Sequence, residues 1–234
     1  MRITFRCAPE LMELLPRPVP AGEALPPWLR SMPAQAAVAD LGADIRTLKH
    51  CPPFIDAMRT GFLMPLVADL RVKGGAFFWD WNPPPTALGR TTRSPIAFHH
   101  AEQAAGSPLF DPTQLFIKFN NFWTIGLQPG WSLLVTHPAN RGDLPFQTLT
   151  GLVDADLYAD GLIHFPARWL DAAFEGVLPR GTPVAQCIPV PREPLELALE
   201  PLEGEAAERF GAVKDAVGAE PGTYRRHFRA ARTG

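Results

Sequence analysis

Several things are missing from the chain. None of its 234 positions begins a run of about eighteen apolar residues, so the sequence encodes no membrane-spanning helix. Cysteine is scarce. Cys7, Cys51 and Cys187 stand alone without a CxxC pair, which fits reduced thiols and excludes a disulfide framework or a zinc-finger spacing. There is no excess of positive charge: 22 basic against 24 acidic residues give a formal net charge of −2. Nothing in that balance attracts a phosphate backbone, so general nucleic-acid binding is not expected. The first residues, Met1-Arg2-Ile3-Thr4-Phe5-Arg6-Cys7, form no apolar stretch of the kind a signal peptide needs, and the expectation is a cytoplasmic protein. No internal repeat of fixed period is present.

What the chain does have is apolar residues and proline. Hydrophobic residues make up 46% and charged residues 20%, a composition that buries a sizeable core. Proline occurs 27 times, scattered along the chain. Because proline interrupts helices and central strands alike, the expectation is short elements joined by rigid turns. The pattern divides into a Pro-rich N-terminal arm at 1–35, an all-β domain at 36–200, and a C-terminal helix with a basic tail at 201–234. In the arm, helical pieces are expected around Glu10–Leu15 and Leu25–Met32, with Trp28 and Leu29 packing onto the body.

Between 44 and 81, strand-like runs at Ile45–Leu48, Phe62–Leu70 and Ala76–Trp81 alternate with turns at Cys51-Pro52-Pro53 and Gly74-Gly75. Residues 82–112 read as loop, with a short helical turn near Ala101–Ala105. From 115 onward the runs Leu115–Asn120, Trp123–Leu127, Ser132–Thr136, Leu149–Asp154, Gly161–Phe165 and Pro183–Ile188 are short and rich in β-branched or aromatic residues. Gly, Pro, Asn or Asp separates many of them, the pattern of a mainly β sandwich or barrel. A helical period appears only at Glu203–Val217, where Leu202, Ala206, Phe210 and Val213 share a face and Gly218 is the expected stop. The basic stretch Tyr224–Arg229 follows.

Four phrases in the second half stand in a telling order: Pro129-Gly130-Trp131-Ser132, Thr136-His137-Pro138-Ala139-Asn140-Arg141, Gly151-Leu152-Val153-Asp154-Ala155-Asp156-Leu157-Tyr158 and Arg180-Gly181-Thr182-Pro183-Val184-Ala185-Gln186. In this order and at nearly this spacing they resemble the core of the dUTP diphosphatase and dCTP deaminase superfamily, over roughly residues 125–190. That resemblance implies a β-clip or jelly-roll-like fold, a homo-oligomer (a trimer in most of the family), and a site for a nucleotide or similar anionic small molecule. By it, Asp154 would activate water, Asn140 and Arg141 would steady phosphates, Asp156 would cap a turn or help hold Mg2+, and Gln186 would orient the site. Tyr158 lies one residue beyond the family's base-stacking aromatic. The phosphate motif lacks its hydroxyl residue, the base-binding motif has only a loose echo at Thr60-Gly61-Phe62, and the glycine-rich closing arm is absent. As a whole the chain also resembles an uncharacterised protein family of bacteria and of phages of marine bacteria, on Cys51-Pro52-Pro53-Phe54 and the Pro-Gly-x-Ser and Gly-x-Val-Asp-x-Asp phrases. That second likeness implies no reaction.

Two other readings come from the residues themselves. His100, Glu102 and His164 would make a two-His, one-carboxylate set for Fe2+ if the strands brought them together, as in a metal-dependent oxygenase on a β scaffold. Alternatively the chain is a non-catalytic structural or binding module, phage-related, in which the strands assemble a trimer. Trp79, Trp81, Trp123 and Trp131 could line a pocket, with Trp81 the most exposed candidate, but with 15 Phe and 2 Tyr the aromatics read mainly as core.

Overall fold

Prolines cannot sit within long, doubly paired ladders, and the strands are accordingly short. A computed structural model describes residues 1–88 and 92–231. Residues 89–91 of the expected loop and 232–234 of the tail lie outside the described residues. In chain order the strands are β1 Thr4–Arg6, β2 Val19–Pro20, β3 Gln35–Val38, β4 Ala43–Arg46, β5 Phe62–Pro65, β6 Leu70–Lys73, β7 Ala76–Phe78 and β8 Ile96–His99. They continue with β9 Phe116–Phe119, β10 Thr124–Gly126, β11 Trp131–Thr136, β12 Phe146–Thr148, β13 Gly151–Val153, β14 Phe165–Trp169, β15 Gly176–Leu178 and β16 Pro183–Pro191. Among the described residues three α-helices accompany them: α1 Pro27–Ser31, α2 Pro52–Arg59 and α3 Gly204–Ala219. The protein is mainly β, with one C-terminal α-helix, and among the described residues no sheet closes into a barrel. No described helix is long and apolar enough to cross a membrane.

The chain divides into two compact units, Met1–Ser31 with Ala57–Arg192, and Met32–Asp56 with Glu193–Gly234. The first holds a five-stranded antiparallel sheet ordered β13-β11-β16-β5-β2, a four-stranded sheet ordered β12-β14-β9-β8, a three-stranded sheet β15-β6-β7 and the pair β1-β10. Its core is built from Phe119, Phe146, Phe165, Ile117, Ile125, Leu133 and Met64, all fully buried. Phe119 and Phe146 approach at 4.7 Å between centroids, and Trp169 meets the edge of Phe77 at 4.9 Å. Trp81 packs edge-on against Phe122 at 4.7 Å, while Trp79 is the more exposed of the two. Met1–Ser31, read from sequence as an arm, is woven into this unit: β1 pairs with β10, β2 pairs with β5, and Leu11, Leu15 and Leu29 are buried.

β16 shows how a proline-rich strand survives inside a sheet. It pairs with β11 from Gln186 to Pro191 and with β5 from Pro183 to Cys187, with a register shift between Pro183 and Ala185. Pro189 and Pro191 therefore lie where β5 no longer runs alongside, and Pro183 lies at the irregular end. A missing N–H is tolerated at such positions.

The second unit contains the hairpin β3-β4, turned through Gly42 in left-handed conformation at φ 59, and the helix α3. Thr47 Oγ1 donates to Pro33 O at 2.6 Å and Lys49 Nζ to Met32 O at 2.8 Å, which hold the hairpin base. Arg229 donates from Nε and Nη2 to the two carboxylate oxygens of Asp56 at 2.8 and 2.6 Å.

Several local expectations differ from the structure. Gly161–Phe165, expected as a strand, is one only at Phe165, where β14 begins, and the expected loop 82–112 contains β8, which pairs with β9. Cys51-Pro52-Pro53 opens helix α2 instead of forming a turn, because the first N–H groups of a helix have no intrahelical partner and proline loses nothing there. Helix α3 passes through Gly218 and ends at Ala219, before Glu220-Pro221, since the residue preceding proline is disfavoured in helical conformation.

Gly61, between α2 and β5, has φ +73, and a Cβ there would lie 2.1 Å from the carbonyl oxygen of Cys187 on β16. Gly61→Ala is expected to cost roughly 2–4 kcal/mol from left-handed strain and backbone displacement. Gly74→Ala, with φ +56 and nothing within 4 Å, should show only the strain, about 1 kcal/mol. Chemical denaturation of the two variants checks the difference; equal losses would contradict it.

Candidate functional site

The motif residues fall into two clusters at opposite ends of β11. The first is assembled where the Pro129-Gly130 turn enters β11, where β13 ends, and where β16 runs out at Arg192. Antiparallel pairing aligns Trp131 with Pro191 and Leu133 with Val153, which brings the residues after β16 and β13 to the start of β11. There Asp156 accepts the backbone N–H groups of Gly130 at 2.8 Å and Leu157 at 2.9 Å. It also takes both arms of the Arg192 guanidinium, Nη1 at 2.7 Å on Oδ1 and Nη2 on Oδ2. Four donors match the four lone-pair sites of a carboxylate. The side chain is 5% exposed, and the Arg192 fork holds its acid well below the usual range while raising that of Arg192 itself.

Asp154 sits beside this clasp, its side chain 54% exposed. Its Oδ1 accepts Ser132 Oγ at 2.7 Å and Arg192 Nη1 at 3.2 Å. The backbone carbonyl of Asp154 takes the N–H groups of Leu157 and Tyr158, closing a turn. The Tyr158 ring lies across Gly161, where a Cβ would come within 2.1 Å of it, and is otherwise half exposed. A cation such as Mg2+ does not fit between Asp154 and Asp156, because a guanidinium already occupies that position and Asp156 has no lone pair left.

The second cluster lies past the other end of β11, four residues and so roughly 13 Å along the strand from Ser132. Gln186, 1% exposed, pairs in register with Thr136. Its Oε1 accepts the N–H of Ala139 at 2.7 Å, and its Nε2 donates to the carbonyls of Ala57 at 2.8 Å and Thr60 at 2.6 Å. Asn140 adopts φ 60 in the turn where Arg141 N–H reaches back to Pro138 O at 3.2 Å. Left-handed geometry is one that Asn tolerates better than most residues.

Arg141 grips Asp143 with both Nε, at 2.7 Å, and Nη2, at 2.9 Å. Trp28 Nε1 adds a contact to the same carboxylate at 3.3 Å. Partial burial would raise the Asp143 acid, but the Arg141 pairing outweighs it and the net direction is down. His137 donates from Nε2 to Arg141 O at 3.0 Å and accepts the Thr148 N–H on Nδ1 at 3.2 Å, an arrangement that requires the neutral ring. Burial moves its titration below the usual histidine range, in keeping with that requirement. The crevice bordered by Pro138, Ala139, Arg141 and Gln186 measures about 10 Å3, room for about one water and far too small for a nucleotide.

The histidine set is not assembled. Among the described residues no group of three His, Cys, Asp or Glu side chains is placed to hold a metal ion. His164 accepts the Asn121 N–H on Nδ1 at 3.1 Å. His100, with His99, Gln103, Phe116, Leu149 and Pro166, lines a shallow cleft of about 330 Å3, which neither Glu102 nor His164 reaches.

Sequence reasoning missed Arg192, Asp143 and His137 as the residues that organise these clusters. The sequence carried no signal for Arg192: the expected strand ended at Ile188, and only the pairing of Pro191 with Trp131 brings Arg192 to the Pro-Gly turn. A scan of protein-family models finds no match to the chain, and a search of curated proteins finds none either.

A carboxylate held below its unfolded value stabilises the fold while ionised. The contribution from Asp156 is therefore complete above about pH 4 and fades as acid approaches its folded-state value. Asp156→Asn is expected to lower the melting temperature at pH 7, with the gap to wild type narrowing below about pH 4. A gap that stays constant down to pH 2.5 would show that Asp156 titrates normally.

Proposed function

We propose that the protein is an assembly module: a mainly β scaffold whose polar motif residues fasten its own loops, and whose second unit presents apolar surface to another protein chain. The observation that carries this reading is the distribution of apolar burial. Every buried apolar side chain among the described residues belongs to the first unit. Leu41, Ile45, Leu48, Leu195, Leu197, Leu199, Phe210, Val213 and Val217, all in the second, are exposed. With its apolar side chains at most partly buried, a unit of that size gains little hydrophobic stabilisation of its own. Covering one such side chain yields roughly 1.5–3 kcal/mol, so a partner chain supplies what the fold omits. The polar clusters point the same way, since Asp156, Arg141 and Gln186 are already engaged inside the chain.

The test pairs a hydrophobic dye, anilinonaphthalene sulfonate, with light-scattering mass on the full chain. Either self-association, or a monomer whose strong dye fluorescence drops in Leu197→Glu, supports the reading. A monomer that binds no dye overturns it.

One observation favours a second reading, a pocket for a nucleotide at the Asp154 end. Asp154 is the motif carboxylate that remains half exposed, with a hydroxyl and a guanidinium both on Oδ1. It is also the residue which the diphosphatase-like resemblance makes the water activator. A nucleotide at a hundred times its dissociation constant would stabilise the fold by about 2.7 kcal/mol. For a chain of this length that is a rise of roughly 5–10 °C in melting temperature. The assembly reading expects no shift with nucleotides, with or without Mg2+. A shift that disappears in Asp154→Asn would establish the second reading.

A further inference from the structure

The assembly reading leaves the partner open, and the sequence of the second unit narrows it. Helix α3 carries Ala206, Phe210, Val213 and Val217 four, three and four residues apart, the spacing of a coiled-coil seam, and none of its residues is buried. The segment leading into it, Leu195-Glu196-Leu197-Ala198-Leu199, has no secondary structure, and its three leucines are 90%, 88% and 98% exposed. Their alternation would place all three on one face of an extended strand.

The charge is split along the same segment. Residues 193–208 carry six glutamates, at 193, 196, 200, 203, 205 and 208, and no basic residue. Residues 209–231 carry Arg209, Lys214, Arg225, Arg226 and Arg229 against Asp215 and Glu220. A segment that is acidic at one end and basic at the other is complementary to itself when two copies run in opposite directions.

The positions flanking the seam select the same direction. Two parallel copies of α3 would bring Arg209 of one against Lys214 of the other, two cations side by side. Two antiparallel copies set Arg209 opposite Ala216 and Lys214 opposite Ala207, and layer Phe210 on Val213 and Ala206 on Val217. The long cations then reach across alanines without opposing one another. The four seam residues of one sixteen-residue helix fall short of the roughly 800 Å2 per partner that a stable interface buries. The leucine segment beside the helix supplies the further apolar area.

We infer that the occupant of this surface is a second copy of the chain, joined as a two-fold dimer through antiparallel α3 helices and the Leu195–Leu199 segment. The inference rests on the assembly reading and adds the partner and its direction. A two-fold interface uses one patch twice, which is what a self-complementary segment provides.

Light scattering of the full chain over a concentration series tests it. The expected result is twice the chain mass, falling to a monomer in Phe210→Glu. The second variant, Ala207→Glu with Ala216→Glu, keeps good helix formers on the exposed helix and places carboxylates opposite Lys214 and Arg209 of the antiparallel copy. It should tighten the dimer roughly two- to five-fold at low salt, and the gain should vanish in high salt. A trimer, a dimer indifferent to Phe210→Glu, or a dimer weakened or left unchanged by the double variant at low salt would overturn the proposal. A monomer that binds the hydrophobic dye would overturn the self-pairing and leave the assembly reading standing. A monomer that binds no dye would overturn both.

Discussion

A primary amide buried in the middle of a sheet must find partners for its oxygen and its nitrogen at once, and much of the first unit is arranged around how Gln186 does so. Its carbonyl fixes Ala139 in the loop after β11, and its amino group takes the carbonyls of Ala57 and Thr60 at the end of α2. Helix ends leave their last carbonyls without intrahelical partners, so Gln186 acts as a cap delivered from a strand. Losing the amide would remove one hydrogen-bond partner from the Ala139 N–H and from the Ala57 and Thr60 carbonyls, contacts worth about 0.5–1.5 kcal/mol each. With β16 held between β11 and β5 by their ladders, Gln186 opposite Thr136 ties the end of α2 and the 137–141 loop to that strand.

The other end of β11 follows the same logic with charge in place of an amide. Asp156 collects two backbone N–H groups and a guanidinium fork, so the turn after β13, the Pro-Gly turn before β11 and the end of β16 are tied at one point. An Asp-x-Asp phrase is ambiguous by itself, since one carboxylate can staple a turn while its neighbour faces solvent. Here the staple is Asp156 and the exposed member is Asp154. The resemblance to a nucleotide-hydrolysing superfamily therefore finds its motif positions occupied by residues with internal duties at Asp156, Arg141 and Gln186, and one motif carboxylate, Asp154, half exposed.

The sequence made the fold class and many strands legible for a physical reason: short β-branched and aromatic runs bounded by Gly, Pro and Asn leave little choice but an antiparallel, mainly β chain. Leu115–Asn120, Trp123–Leu127 and Ser132–Thr136 were expected as strands and contain β9 and β10 and most of β11. The run at Phe62–Leu70 was one expected strand and is two, because Pro65 ends β5 and the chain re-enters at Leu70. β12 and β15 were not foreseen. They are three residues long, and only their pairing with β14 and β6 makes them strands. The candidate site was legible as residue types and not as geometry. Nothing in the spacing of Asp154 and Arg141 reveals that β11 holds them at opposite ends. The partners that decide their roles, Arg192 and Asp143, lie outside the motif phrases.

Proline and leucine together explain why the chain has two kinds of surface. The first unit gathers its buried apolar side chains into a core, with others such as Leu109, Phe110, Leu152 and Leu157 left exposed around it. In the second, Pro194 and Pro201 bracket a leucine run that can neither continue a helix nor, among the described residues, pair with a strand of its own chain. An alternating leucine segment left at near-total exposure would ordinarily be an aggregation hazard. The glutamates interleaved with it repel one another when like segments stack in register, and the basic residues beyond α3 are their complement in the proposed opposed pair. In the proposed dimer the same charges that guard the monomer against indiscriminate association would select one direction of pairing, with specificity coming from repulsion as much as from attraction.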